Sequence, residues 1–282
     1  MSDAVKGAEG KSGVILAGLR PWADIWVRSG WRVRTHAREP IFRLLDPEDH
    51  VILTGTREDC LGLGQSLAPY SDARRRAVVL MHGLGPSRRF MRRLERTLAG
   101  EGWAVANLDY PSRLLPLDAH AAQARQVAQG LVADGAEEVS FVGHSLGGLI
   151  GRKAMAEDWP KGRAVLIGTP NAGARIADRL DRFMLFHRVF GPCAEAVTKD
   201  AAATIPVPDR EIAIIAGGTG NRGFNPLLRD DNDGIVTIPE TRLPPGAEAG
   251  FLTFHAIHRT LPFRRSVIAA TVSFLETGHL AA

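Results

Sequence analysis

The 282-residue chain holds only two cysteines, Cys60 and Cys193, and aromatic residues make up only 6% of it. Two thiols cannot build a disulfide scaffold or a four-cysteine zinc site. Long apolar runs are missing as well: no stretch approaches the roughly 20 residues that a membrane-spanning helix needs, which excludes a helical integral membrane protein. Lysine is scarce, since 30 of the 35 basic residues are Arg. A net charge of +4 with that much Arg would suit a nucleic-acid binder. The positions argue otherwise. Arg74, Arg75 and Arg76 sit just before an apolar run, and Arg88, Arg89, Arg92, Arg93 and Arg96 share one helical stretch. Neither group carries the series of stacking aromatics that single strands require. The reading is a solvated basic face: no nucleic-acid partner, and at most a weak attraction to anionic lipid surfaces or acidic substrates.

What is present is ordinary for a folded enzyme-sized chain: 45% hydrophobic and 23% charged residues, enough to bury a sizeable core and too apolar for general disorder. The first residues, Met1 to Gly13, lack the order of a signal peptide. With the low cysteine count, the expectation is a cytoplasmic protein.

Along the chain, the first 30 residues carry little pattern beyond one turn of helix expected around Pro21 to Val27. Trp31 to Ala37 and Ile41 to Thr54 read as β, with Asp46-Pro47-Glu48-Asp49 as a turn, so residues 1–75 form an N-terminal extension with a β-hairpin. From Arg76 the pattern changes. Ala77-Val78-Val79-Leu80-Met81 is a continuous apolar run, as expected of a strand covered on both faces. Ser87 to Ala99 reads as a helix with Ser87 as its N-cap. Strands at Trp103–Leu108, Val139–Val142, Ala164–Ile167, Glu211–Ala216 and Phe251–His255 then alternate with helices at Leu117–Ala133, Ser145–Glu157 and Arg264–Glu276. That alternation predicts an α/β fold, a mostly parallel central sheet with helices on both faces. The whole reads as one domain, with a core over 76–282 and an insertion near 175–208.

The strongest chemical signal is Gly143-His144-Ser145-Leu146-Gly147-Gly148, a G-x-S-x-G pattern placed between a strand and a helix. The turn there is so tight that residues flanking the serine must be small, hence Gly143 and Gly147. It lifts the Ser145 hydroxyl clear of the sheet, beside the free N–H groups of a helix start. A second signal, His82-Gly83-Leu84-Gly85, follows the apolar run at 77–81. Acyl transfer develops an oxyanion that needs preorganised donors. The expected donors are the backbone amides of Leu146 and Leu84, with Gly83 letting the backbone approach and His82 holding the loop.

A serine hydroxyl also needs a base, and the base an orienting acid. Where the nucleophile sits on such an elbow, the chain order is serine, acid, histidine. Among Asp230, Asp231 and Asp233, the preferred acid is Asp233, which is followed by Gly234 and an apolar pair; Asp231 stays as a rival. The base is one of His255, His258 or His279. His258, in the loop after the last strand, is preferred, with His255 a serious rival. Two other patterns are decoys. Gly218 to Gly223 fits G-x-G-x-x-G but opens no helix, and Asp231 to Glu240 imitates a calcium loop with Arg229 at its first ligand position. Neither a cofactor nor a metal is expected.

Together, these segments resemble the α/β-hydrolase superfamily and, within it, the lipase-like serine esterases. The matching residues are His82 to Gly85, Gly143 to Gly148, Ile167-Gly168-Thr169-Pro170-Asn171-Ala172-Gly173-Ala174 and Asp233-Gly234-Ile235-Val236, with Asn107 to Ser112 similar to a segment of bacterial members. The likeness covers about residues 76–276 and departs from the usual pattern at Asn171 and Ala174, positions that commonly shape the acyl pocket. It implies an α/β-hydrolase fold and hydrolysis of carboxylic esters with a hydrophobic acyl group, through an acyl-enzyme on Ser145. The same residues would also suit an acyltransferase, thioesterase or amidase. A non-catalytic module binding hydrophobic ligands is the remaining alternative. The apolar residues Ile176, Leu180, Phe183, Met184, Phe186, Val189 and Phe190 of the insertion would then form a cap over the acyl pocket.

Overall fold

The computed structural model describes residues 20–69, 75–177 and 191–281. Two sheets organise them. Strands β1 (Trp22–Arg28), β2 (Trp31–His36), β3 (Phe42–Leu45) and β4 (Val51–Gly55) form an antiparallel sheet in sequential order. The single helical turn expected over Pro21 to Val27 is instead the strand β1. Its signal was the pair Ser29-Gly30: both residues have positive φ, 48° and 86°, as a two-residue hairpin loop of the tightest kind requires. Helix α1 (Arg57–Leu67), capped by the Thr56 hydroxyl on the Asp59 N–H, covers this sheet. Ile25, Trp26, Val33, Leu44, Cys60 and Ala68 close a small apolar cluster between them.

The second sheet has six strands: β5 (Arg76–Met81), β6 (Ala104–Leu108), β7 (Glu138–His144), β8 (Ala164–Ile167), β9 (Ile212–Gly218) and β10 (Gly250–His255). They run parallel in the order β10-β9-β8-β7-β5-β6. Helices α3 (Leu117–Ala133) and α4 (Leu146–Met155) cover one face, while α2 (Arg92–Gly100) and α7 (Arg265–Thr277) cover the other. Two apolar clusters result, one on each face. Phe141 and Leu166 point into the first, Val142, Val165 and Ile167 into the second, which is why these strands read as unbroken apolar runs. Ser87 does not cap α2. A 3₁₀ turn over Arg88–Met91 intervenes, and the Arg88 N–H donates instead to the Asp109 carboxylate. Two short helices, α5 (Lys199–Thr204) and α6 (Ile238–Thr241), follow β8 and β9.

Most of the apolar insertion expected to form a cap (Leu180, Phe183, Met184, Phe186, Val189 and Phe190) lies outside the described residues. Among the described residues, no helix is long and apolar enough to cross a membrane.

Candidate active site

The loops at the carboxyl ends of β5, β7, β8, β9 and β10 meet at one edge of the parallel sheet. Ser145 sits at the centre of that edge, between β7 and α4, with φ 56° and ψ −123°. An L-residue adopts such angles only when its surroundings impose them. Here the imposing contacts are glycines. A Cβ on Gly143 would lie 2.5 Å from the Gly148 nitrogen, and one on Gly147 would lie 2.3 Å from the Met81 carbonyl oxygen. The Ser145 N–H donates to the Ile167 carbonyl of β8 at 2.9 Å, which ties the turn to the next strand. Ser145 itself remains partly exposed. The Leu146 amide stands at the first position of α4, where no intrahelical acceptor is available.

The loop after β5 lies across this turn. A Cβ on Gly83 would approach the Ser145 Cβ to 3.1 Å, tighter than ordinary contact, so glycine suits this close crossing. The Gly85 N–H donates to the Ser112 hydroxyl at 3.1 Å, whereas the Leu84 N–H donates to no acceptor among the described residues. His82 is buried beneath the loop. Its Nδ1 donates to the Gly83 carbonyl at 2.7 Å, and its ring stacks on Tyr110 at 4.3 Å. The Tyr110 hydroxyl in turn donates to the His82 carbonyl. Burial pushes the His82 imidazole below its ordinary pKa, more than the nearby Asp109 charge raises it, so the ring is neutral and holds the loop.

Of the acid and base candidates, the structure joins Asp233 to His258. The Asp233 Oδ2 accepts from His258 Nδ1 at 2.7 Å, and the His258 backbone N–H donates to the Asp233 carbonyl at 2.8 Å. The other carboxylate oxygen, Oδ1, accepts the Ile235 and Val236 N–H groups at 3.0 and 2.8 Å. Both oxygens are therefore held, and the side chain is buried. Asp231 is engaged elsewhere, accepting the Thr219 and Gly220 N–H groups, each at 2.8 Å. Those amides belong to the glycine-rich turn that resembled a dinucleotide site, so a side chain of the protein already occupies the turn. His255 stacks on Phe224 at 5.2 Å and is exposed, and His279 lies beyond α7.

Two contacts place the His258 ring near Ser145. A Cβ on Gly168, the residue after Ile167, would lie 3.3 Å from His258 Nδ1 and Cε1. The ring also packs 4.8 Å from that of His144, the residue before Ser145. No hydrogen bond joins the Ser145 hydroxyl to the His258 ring among the described residues.

Some contributors were not legible as such. His144 Nε2 donates to the His258 carbonyl at 3.1 Å, which anchors the His258 loop to the serine turn. Burial, aided by the neighbouring His258, keeps the His144 imidazole well below its ordinary pKa, consistent with a neutral donor. Asn232 is the knot of the Asp233 loop: its Oδ1 accepts the Asn225 and Gly234 N–H groups, both at 2.9 Å. Sequence spacing gives no signal for the His144 contact, which joins residues 114 apart in the chain. Asn171 is a structural tie. Its Nδ2 donates to the Thr241 carbonyl at 2.7 Å, and its own carbonyl accepts from the buried Arg152 at 2.8 Å.

Residues 78–278 match the profile of the alpha/beta hydrolase family. The chain belongs to that family. Its fold has solved counterparts. A lipase of Bacillus licheniformis in its mature form superposes with a TM-score of 0.55 at 18% identity, over 73% of this chain and 91% of that one. An esterase of Pyrococcus furiosus superposes with a TM-score of 0.56 at 14% identity, over 92% and 91% of the two chains. At these identities the likeness is one of fold. No curated protein sequence matches the chain.

Proposed function

We propose that this alpha/beta hydrolase cleaves carboxylic esters with a hydrophobic acyl group through a covalent intermediate on Ser145. One observation carries the reading: a serine held at positive φ on the strand-to-helix turn, beside a histidine whose Nδ1 is bonded at 2.7 Å to a buried, fully engaged carboxylate. The bond from Asp233 fixes the His258 tautomer, leaving the lone pair of Nε2 free to take the hydroxyl proton. A rotation of the Ser145 side chain brings the hydroxyl to that nitrogen. The oxygen then attacks the acyl carbon, and the carbonyl electrons move onto an oxyanion received by the Leu84 and Leu146 amides. His258 returns the proton to the leaving alcohol. Water, deprotonated by the same ring, then attacks the acyl-enzyme; the bond from the acyl carbon to the Ser145 oxygen breaks, His258 returns the proton to that oxygen, and the acid is released. Through its bond to Nδ1, Asp233 stabilises the imidazolium. Nothing in the scheme calls for a cofactor or a metal.

The test is turnover of p-nitrophenyl esters across several acyl lengths by the native protein and by Ser145→Ala, with fluorophosphonate labelling in parallel. Native activity and labelling, both lost in the variant, support the reading. A folded native protein that neither turns over nor is labelled sinks it. Transfer of the acyl group to an added alcohol or thiol in preference to water would move the assignment to an acyltransferase.

A further inference from the structure

Asp24 lies in the middle of an apolar strand, where an unpaired charge would be costly, and it is fully buried. Its partners explain why it is tolerated. Arg34, directly opposite on β2, donates Nε to Asp24 Oδ1 at 2.7 Å and Nη2 to Asp109 Oδ2 at 2.8 Å. Arg32 donates to Asp24 Oδ2 at 2.8 Å. Asp24 and Asp109 are also paired along the backbone: Asp24 N–H donates to the Asp109 carbonyl at 3.0 Å, and Asp109 N–H to Asp24 Oδ2 at 2.7 Å. Burial alone would raise the Asp24 carboxyl; the Arg34 and Arg32 charges with the Asp109 N–H outweigh it and hold it below the usual range.

The segment that Asp24 and Arg34 grip is the scaffold of the loop after β5. Asp109 Oδ1 accepts the Arg88 N–H at 2.7 Å, and Asn107 Nδ2 donates to the Arg88 carbonyl at 2.9 Å. Tyr110 donates to the His82 carbonyl, and the Ser112 hydroxyl accepts the Gly85 N–H at 3.1 Å. Residues 107–112 thus hold both ends and the middle of loop 82–88, and the N-terminal sheet holds residues 107–112. A second tether joins the same sheet to the core far from this loop: Arg28 Nε donates to Asp134 at the end of α3, at 2.9 Å.

We propose that Arg34 is a positioning residue of the ester hydrolase: bridging Asp24 and Asp109, it makes the N-terminal sheet a brace that keeps the Leu84 amide aimed at the acyl carbonyl over Ser145. The proposal rests on the reading of Leu84 as an oxyanion donor. It gives residues 20–69 a role in turnover without placing any of them against the substrate. A donor that is displaced rather than deleted should cost part of what an oxyanion donor contributes, so Arg34→Met is expected to lower kcat by about 10- to 100-fold with KM changed less than about twofold.

The experiment compares Arg34→Met with Arg28→Met, which cuts the tether to Asp134, by ester kinetics and by hydrogen exchange of the peptide covering residues 82–88. Faster exchange in that peptide and the kcat loss in Arg34→Met, with both at native levels in Arg28→Met, support the brace. Native exchange at 82–88 in Arg34→Met overturns it, as does an equal rise in Arg28→Met, which would mark a merely structural tether. Should Arg34→Met fail to fold, Ser112→Ala removes the far end of the same chain of contacts. It must then reproduce the exchange and kcat changes, and native behaviour there also overturns the proposal. The exchange measurement reads the loop without turnover, so a native protein inert towards esters would defeat the hydrolase reading separately.

Discussion

The two sheets of this chain are attached to their surroundings by different physics. The parallel sheet is sealed on both faces by apolar side chains; Phe141, Leu166, Val142 and Val165 have no exposed surface at all. The antiparallel sheet has only a small apolar cluster around Trp26 and Leu44, and its last strand, β4, is largely exposed. It meets the core through Val27, through Arg28 on Asp134, and through the buried charges of Asp24 and Arg34 on Asp109. Apolar burial is non-directional and sets how strongly elements adhere. A buried ion cluster fixes direction: each carboxylate oxygen of Asp24 has a named donor, and a misplaced sheet would leave charges uncompensated. The parallel sheet builds the site, and the antiparallel sheet orients one of its loops.

That division can be broken at either end. The largest effect is expected from Ser145→Ala, which should lower ester turnover by a factor on the order of 10⁴ or more while leaving thermal stability near native. Assays with a p-nitrophenyl ester and a thermal melt check it. An unchanged rate would detach the chemistry from the parallel sheet altogether.

Next comes Arg32→Met. It strips one of the two arginines from a carboxylate with no exposed surface, and should cost about 3–5 kcal/mol in denaturant unfolding. A cost below about 1 kcal/mol would mean that the cluster does not direct the sheet.

Acid should separate the two regions by pH. His82, His120 and His144, all buried on the parallel-sheet side, have imidazoles held below their ordinary pKa, with His120 at about 4, chiefly through burial. A depressed folded-state pKa means that the unfolded chain binds the proton more readily. Their contribution is therefore whole above pH 6.5 and is lost as pH falls from there through the folded values. For His120 the loss amounts to about 3 kcal/mol. On the other side, Asp24 and Asp49 have carboxyls held below 3.8, so their contribution persists down to that pH and is lost only below it. Melting temperature should thus decline between pH 6.5 and 4, and His120→Phe should flatten that decline. A native-like slope in the variant would contradict the assignment.

The smallest effect is expected from Arg75→Met. Its pairing with Glu137 at 3.0 Å lies on the surface, with both side chains mostly exposed. A change within about 0.5 kcal/mol by chemical denaturation is expected, against the large cost at Arg32. A comparable cost would show that burial is not what distinguishes the two pairs.

Much of the parallel half was legible because its signals are local. The strand Ala164–Ile167 and the helix Leu117–Ala133 have the same limits in the structure as in the sequence reading, since apolar runs and helical periodicity are written in consecutive residues. In the N-terminal half, β1 was misread because an Asp in mid-strand breaks the apolar pattern; the arginines that neutralise it lie 8 and 10 residues later. Helix α1 was overlooked for a related reason: Gly62 and Gly64 weaken its propensity, and Leu44 and Trp26 supply the packing that compensates.

By itself the sequence determined the strand–helix alternation, the tight turn around Ser145 and the short set of acids and bases that could serve it. These depend on steric rules acting over a few neighbouring residues. Only the tertiary structure decided that Asp233 rather than Asp231, and His258 rather than His255, form the bonded pair, because side-chain partners are chosen by the convergence of loops 25 residues apart in the chain. It alone also set Arg34 beside Asp109 across 75 residues, where burial makes each charge depend on the exact placement of the other.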